Sequence, residues 1–107
     1  MYIQTIYDRP MLKFFMAPNI ERKLAEKHNV RRAEVEQCFL NRELPVLIDT
    51  MEDHQTDPPS LFFISHTNAG RRLKVVYIQK GPKVFIKTCY EPNEEMVAIY
   101  HQLINQE

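Results

Sequence analysis

Arg71-Arg72-Leu73-Lys74-Val75-Val76-Tyr77-Ile78-Gln79-Lys80-Gly81-Pro82-Lys83-Val84-Phe85-Ile86-Lys87-Thr88-Cys89-Tyr90 reads as two strands joined by a Gly81-Pro82 turn. Glycine takes the positive φ that a tight hairpin favours, and proline fixes the φ that follows. A two-residue loop then sets the register. Lys80 is expected to face Lys83, Ile78 to face Phe85, Val76 to face Lys87, Lys74 to face Cys89 and Leu73 to face Tyr90.

Side chains alternate across a sheet, so this register gives the hairpin two unlike faces. One carries Leu73, Val75, Tyr77, Val84, Ile86, Thr88 and Tyr90 and calls for a core. The other sets Arg72, Lys74, Lys80, Lys83 and Lys87 around a floor of Val76, Ile78 and Phe85. A cationic face with an apolar, aromatic floor suits a polyanion. The plainer reading is that lysines keep an exposed sheet face soluble and discourage edge pairing.

The 107 residues suffice for one domain with a hydrophobic core that needs no metal or disulfide staple. Formal net charge is zero, but its distribution is uneven. From Pro58 to Tyr90 the charged residues are Arg71, Arg72, Lys74, Lys80, Lys83 and Lys87, with no acid among them. From Arg31 to Asp57 acids outnumber bases, seven to three. A basic sheet beside an acidic middle produces local fields that the total conceals. Cys38 and Cys89 read as reduced, buried residues, and no Cys/His spacing suggests zinc, so neither metal nor cofactor is expected. No signal peptide and no stretch of transmembrane length is evident, which points to the cytoplasm and away from membranes.

Outward from the hairpin, Leu61-Phe62-Phe63-Ile64 is a continuous apolar run, expected as a central strand buried on both faces. Leu44 to Asp49, interrupted by Pro45, suits an edge strand, and Thr50 to Pro59 a polar loop. Lys13 to Met16 is a short first strand, preceded over 1–12 by a strand or arm. Asn19 is an N-cap candidate for a helix from Ile20 to His28, and Asn29 suits its left-handed C-terminal cap. A second helix from Arg32 to Leu40 buries Val35, Cys38 and Phe39. Asn93 caps a last helix from Glu94 to about Ile104 with a broad apolar stripe. The order β-α-α-β-β-β-β-α gives an α+β domain of two layers, helices on the apolar side of an antiparallel sheet and the lysine face bare.

Such a face invites a specific chemistry. Cleaving RNA without a metal takes a group that accepts the 2′-hydroxyl proton, a group that protonates the leaving oxygen, and cations for the charged phosphorane. Arg71, Lys74 and Lys87 are the candidate cations; Arg72, Lys80 and Lys83 are candidate RNA contacts, with Phe85 to stack a base. His54, in an acidic loop, and His28, at a helix end, are the candidate proton carriers, with Tyr90 behind them. His66 at a strand end and His101 on a polar helix face read as solvated residues. If Lys74 and Lys87 lie on the surface, replacing both with Ala changes stability by no more than roughly 1 kcal/mol.

Several short motifs carry a family likeness. Lys27-His28-Asn29-Val30 with Glu34-Val35 and Phe39 resembles the K-H-G-V…E…F opening of BrnT-type toxins. Asp49 through Asp53-His54 resembles their D…H loop, and Gly70 to Tyr77 their G-R-x-L-x-V-V-Y strand. Glu94, Glu95 and Tyr100 are similar to their closing E-R…Y helix. The likeness implies a RelE/BrnT-like fold, ribonuclease activity on RNA (ribosome-associated mRNA included), and a cognate antitoxin. Two departures stand out: Asn29 replaces a glycine, and Thr88-Cys89-Tyr90 replaces S-A-R, removing an arginine. The runs His54 to Pro59 and Lys87 to Asn93 resemble small bacterial proteins labelled ADP-ribosyl-dinitrogen reductase hydrolase. The chain is too short for that helical, metal-dependent fold. The competing readings are a non-catalytic binding module of the same fold and a homodimer joined through the sheet face or the arm.

Overall fold

The computed structural model describes residues 12–50 and 56–105. The elements are β1 (Lys13–Phe15), α1 (Pro18–His28), α2 (Arg32–Leu40), β2 (Leu47–Ile48), β3 (Leu61–His66), β4 (Arg72–Lys80), β5 (Lys83–Tyr90) and α3 (Glu94–Ile104). The predicted order is the observed one. The arm expected over 1–12 lies, but for Leu12, outside the described residues, as does His54.

Five strands form one sheet in the order β1-β5-β4-β3-β2. β2 to β5 are an antiparallel meander, and β1 joins β5 in parallel, so the sheet is mixed rather than purely antiparallel. The long hairpin turns through Gly81 at φ 59°, as its Gly-Pro pair predicts. From Lys80–Lys83 to Tyr77–Ile86 the expected register holds. Beyond that it slips: Val76 pairs with Thr88, Val75 with Cys89 and Lys74 with Tyr90, leaving Lys87 as an extra residue in β5. This β-bulge inverts the phase of the strand end. Cys89 is fully buried as expected, though opposite Val75 and not Lys74; Thr88 and Tyr90, expected inward, lie on the opposite face.

α1 begins at Pro18, a favourable first helical position, and not behind an Asn19 cap; Ala17 is its N-cap. Asn29 ends it in the left-handed conformation, φ 53° and ψ 44°, with its N–H donated to the Leu24 carbonyl. At the start of α2 the Glu34 carboxylate accepts the Arg31 N–H at 3.0 Å. α3 is capped as expected, the Asn93 side chain accepting the Met96 N–H at 2.8 Å.

The helices do not share one side. Phe39 of α2 meets Phe63 and Tyr77 edge-on at 4.9 and 5.0 Å, on one face of the sheet. Tyr100 of α3 lies 5.8 Å from Phe62, which points to the other face. β3 is apolar on both sides, so each side of the sheet offers a helix somewhere to bury its stripe. The expected two-layer arrangement is therefore corrected: α3 covers part of the face predicted to be bare. A Tyr100 hydroxyl bond to the Pro45 carbonyl, 2.7 Å, ties α3 to the segment before β2. No helix among the described residues is long and apolar enough to cross a membrane.

Candidate nucleic-acid interface and neighbouring clefts

The bulge and α3 divide the second face into three zones. At the hairpin end, Lys13, Lys83 and Lys80 align across β1, β5 and β4. One step along the same face, about 7 Å at ordinary strand rise, Phe15, Phe85 and Ile78 form a second row. Phe15 and Phe85 stack at 5.1 Å with an interplanar angle of 19°. The Lys80 ammonium stands 5.8 Å from the Phe85 ring, and Phe15 is 43% exposed. Lys80, Lys83 and Phe85 are thus brought together as expected, and β1 adds Lys13 and Phe15.

Like charges directly opposite one another on a sheet destabilise it. Edge protection accounts for Lys13, on an edge strand, and for Lys80, where β4 runs past the end of β3, but not for Lys83, which has a strand neighbour on each side. A bound anion relieves that repulsion.

The middle zone departs most from expectation. Lys74 is only 4% exposed, its ammonium 4.7 Å from the Phe62 ring and 5.7 Å from the Tyr90 ring. It is a buried cation held against aromatic faces, not a surface lysine, because its strand partner Ile64 and neighbour Phe62 lie in the zone that α3 covers. Lys87 reaches across to Ser60, donating to its hydroxyl at 2.9 Å. Thr88 accompanies Tyr90 on this side.

Arg71 is engaged on every side. Its Nε donates to Glu91 at 2.6 Å, Nη1 to the Asn29 carbonyl at 2.7 Å and to Glu34 at 3.1 Å, and Nη2 to the His28 carbonyl at 2.9 Å. These bonds lock the α1 C-terminus, the α2 N-terminus and the link after β5 around one guanidinium. The Glu91 hydrogen bond raises the Arg71 pKa above its usual value, outweighing partial burial, with Glu34 adding to it. Partial burial pushes the Glu34 carboxyl up, but the Arg31 N–H and Arg71 together draw it below the usual carboxylate value. Arg71, expected to hold phosphate, is structural.

His28 and Tyr90 are brought together, ring centroids 5.6 Å apart. Tyr90 also borders a cleft of about 240 Å³ with Glu91 and Glu95, an acidic surround that opposes a phosphate. Burial pushes the Cys38 thiol up to about 12 and raises Cys89 as well, so neither is a reactive thiolate at neutral pH.

The third zone was not anticipated. At the far end of β4 from the lysine row, a cleft of about 410 Å³ opens between the sheet and α3. Ile64, Val97 and Tyr100 give it an apolar wall, and His66, Arg72 and His101 its polar one. His66 and Arg72 are cross-strand partners. Arg72 is the more open counterpart of Arg71: its side chain is 51% exposed and, among the described residues, pairs with the highly exposed Glu94 at 3.5 Å. In sequence the two histidines read as solvated, one at a strand end and the other on a polar helix face. Only the docking of α3 on this face puts them in one cleft. Neither protein-family models nor curated proteins match this chain. Among the described residues no cluster of His, Cys, Asp or Glu has the makings of a metal site.

Proposed function

We propose that this chain binds single-stranded RNA across the β1–β5–β4 end of its sheet, as a cytoplasmic RelE/BrnT-like toxin of a toxin–antitoxin pair. The observation that carries the reading is the pair of aligned rows, three lysines beside two stacked phenylalanines. Unpaired bases stack on aromatic rings whatever their identity, and a row of ammonium groups tracks the backbone charge. The toxin assignment rests on the likeness of the short motifs from Lys27 to Tyr100. Its ribonuclease activity, ribosome-associated mRNA target and cognate antitoxin belong to the same proposal.

A second reading has an observation of its own. With Arg71 consumed by Glu34, Glu91 and two carbonyls, and Lys74 buried, two of the expected catalytic cations are unavailable to a substrate. This favours a non-catalytic binding module on the same surface. A homodimer that covers Phe15 and Phe85 is the third outcome.

One set of measurements separates them. Fluorescence anisotropy with labelled single-stranded RNA is expected to give salt-sensitive binding that weakens when Lys80 and Lys83 are replaced by Ala. Binding indifferent to both substitutions overturns the interface. Growth arrest on expression, relieved by the product of an adjacent small reading frame, supports the toxin; binding without arrest favours the module. Sedimentation showing a dimer that dissociates in Phe15→Ala, with no RNA binding, favours the third reading.

A further inference from the structure

The His66–Arg72–His101 cleft brings two imidazoles and a guanidinium, the kinds of group that metal-free RNA cleavage requires, to one place. Nδ1 of His66 lies 3.1 Å from the Thr67 carbonyl, which can only accept, so that nitrogen carries the proton. Nε2 is then the basic nitrogen. His101, in the last turn of α3, borders the same cleft from the helix side. Arg72 offers a planar fork suited to two phosphate oxygens. Its contact with Glu94 is between exposed groups, and such pairs are easily exchanged for a better anion.

The apolar wall of Ile64, Val97 and Tyr100 provides a surface for a base or ribose beside the phosphate.

We infer that this cleft is a phosphodiester-cleaving centre, with His66 as base, His101 as acid and Arg72 as the phosphate ligand. This rests on the RNA reading above. In the step, Nε2 of His66 takes the 2′-hydroxyl proton as the 2′-oxygen attacks phosphorus. The bond from phosphorus to the 5′-oxygen breaks, and His101 gives that oxygen its proton. The products are a 2′,3′-cyclic phosphate and a 5′-hydroxyl, with no change of oxidation state, and proton exchange with solvent resets both imidazoles. Arg72 holds the non-bridging oxygens while negative charge accumulates on them.

The test uses the full chain and a panel of dinucleoside monophosphates, which are too short to depend on the lysine row. Cleavage to the cyclic phosphate is expected, falling at least about 100-fold in both His66→Gln and His101→Gln, the loss typical of a missing acid or base. Longer RNA is expected to bind both variants as it binds the parent chain. His101 is exposed, so its variant keeps the fold, which a melting curve checks. The 2′-deoxy dinucleotides, unable to react, are expected to shift the His66 and His101 imidazole NMR signals. Three results overturn the inference: no cleavage and no imidazole shift, cleavage undiminished in both variants, or cleavage lost only when His28 or His54 is changed. If RNA binding through Lys80 and Lys83 survives any of these, the interface stands and only the cleft fails. Cleavage of dinucleotides without binding of longer RNA has the reverse meaning.

Discussion

Arg71 and Glu34, distant in sequence, meet at 3.1 Å at a junction where two helices and the sheet converge. The arginine side chain is 22% exposed and the glutamate 18%, so water screens the pair only in part. Replacing Arg71 with Ala leaves Glu34 and two helix-end carbonyls without their donor. A loss of about 2–4 kcal/mol is expected in chemical denaturation, from the orphaned groups rather than from the ion pair itself. Lys at this position recovers little, since one ammonium cannot reach three directions.

The same pair sets an acid limit. Because the folded-state pKa of Glu34 lies below its ordinary value, the unfolded chain binds more protons in that interval, and stability there rises with pH. The contribution is complete above the ordinary carboxylate value and lost as pH falls through the depressed one. Glu34→Gln is expected to lower stability at neutral pH and to flatten its decline between about pH 5 and 3. Urea unfolding at several pH values measures both slopes. Equal slopes for the two proteins contradict the account.

Lys74 behaves as a core residue. Ala at this position is expected to cost about 1–3 kcal/mol through the void it leaves between Phe62 and Tyr90. Met, of similar length and uncharged, is expected to fall within about 1 kcal/mol of the parent. Thermal melts of the two variants decide it. The sequence pattern alone implies that an Ala substitution is harmless, and the burial reverses that expectation.

How far the sequence discloses the molecule follows from this contrast. The Gly81-Pro82 turn, the Asn29 cap and the Asn93 cap are local devices, and each stands where its residue type predicts. The extra residue at Lys87 leaves no comparable mark, so the strand end is read in the wrong phase and Cys89 exchanges places with Tyr90. Lysine at position 74 looks solvent-facing by composition; a helix 20 or more positions later reaches the face it occupies. His66 and His101 carry no joint signal because their meeting is tertiary.

The lysine row has its own quantitative signature. Each of Lys13, Lys80 and Lys83 replaced by Ala is expected to reduce the slope of log affinity against log salt by about 0.7 for single-stranded RNA. Phe85→Ala is expected to weaken binding by about 1–3 kcal/mol at any salt concentration. Anisotropy titrations over a range of salt separate the two effects. A slope unchanged in all three lysine variants assigns them to solubility alone.

Cys38 and Cys89 are both fully buried. With their thiols raised by burial, a maleimide or aromatic disulfide reagent is expected to leave the native chain unlabelled at pH 8 and to label two thiols once urea unfolds it. Rapid labelling of the folded chain indicates an opening motion at the junction of α2 and β5.

One surplus residue in β5 works like a half-step in a zipper. Drawing Lys87 into the ladder opposite Val76 would restore strict alternation with every residue kept, turning Tyr90 inward and Cys89 outward together and stripping Lys74 of one of its two rings. Everything C-terminal to that point, α3 included, then starts from the opposite side. The side from which the chain leaves the sheet, and with it the groove beneath the last helix, depends on one residue standing outside the ladder.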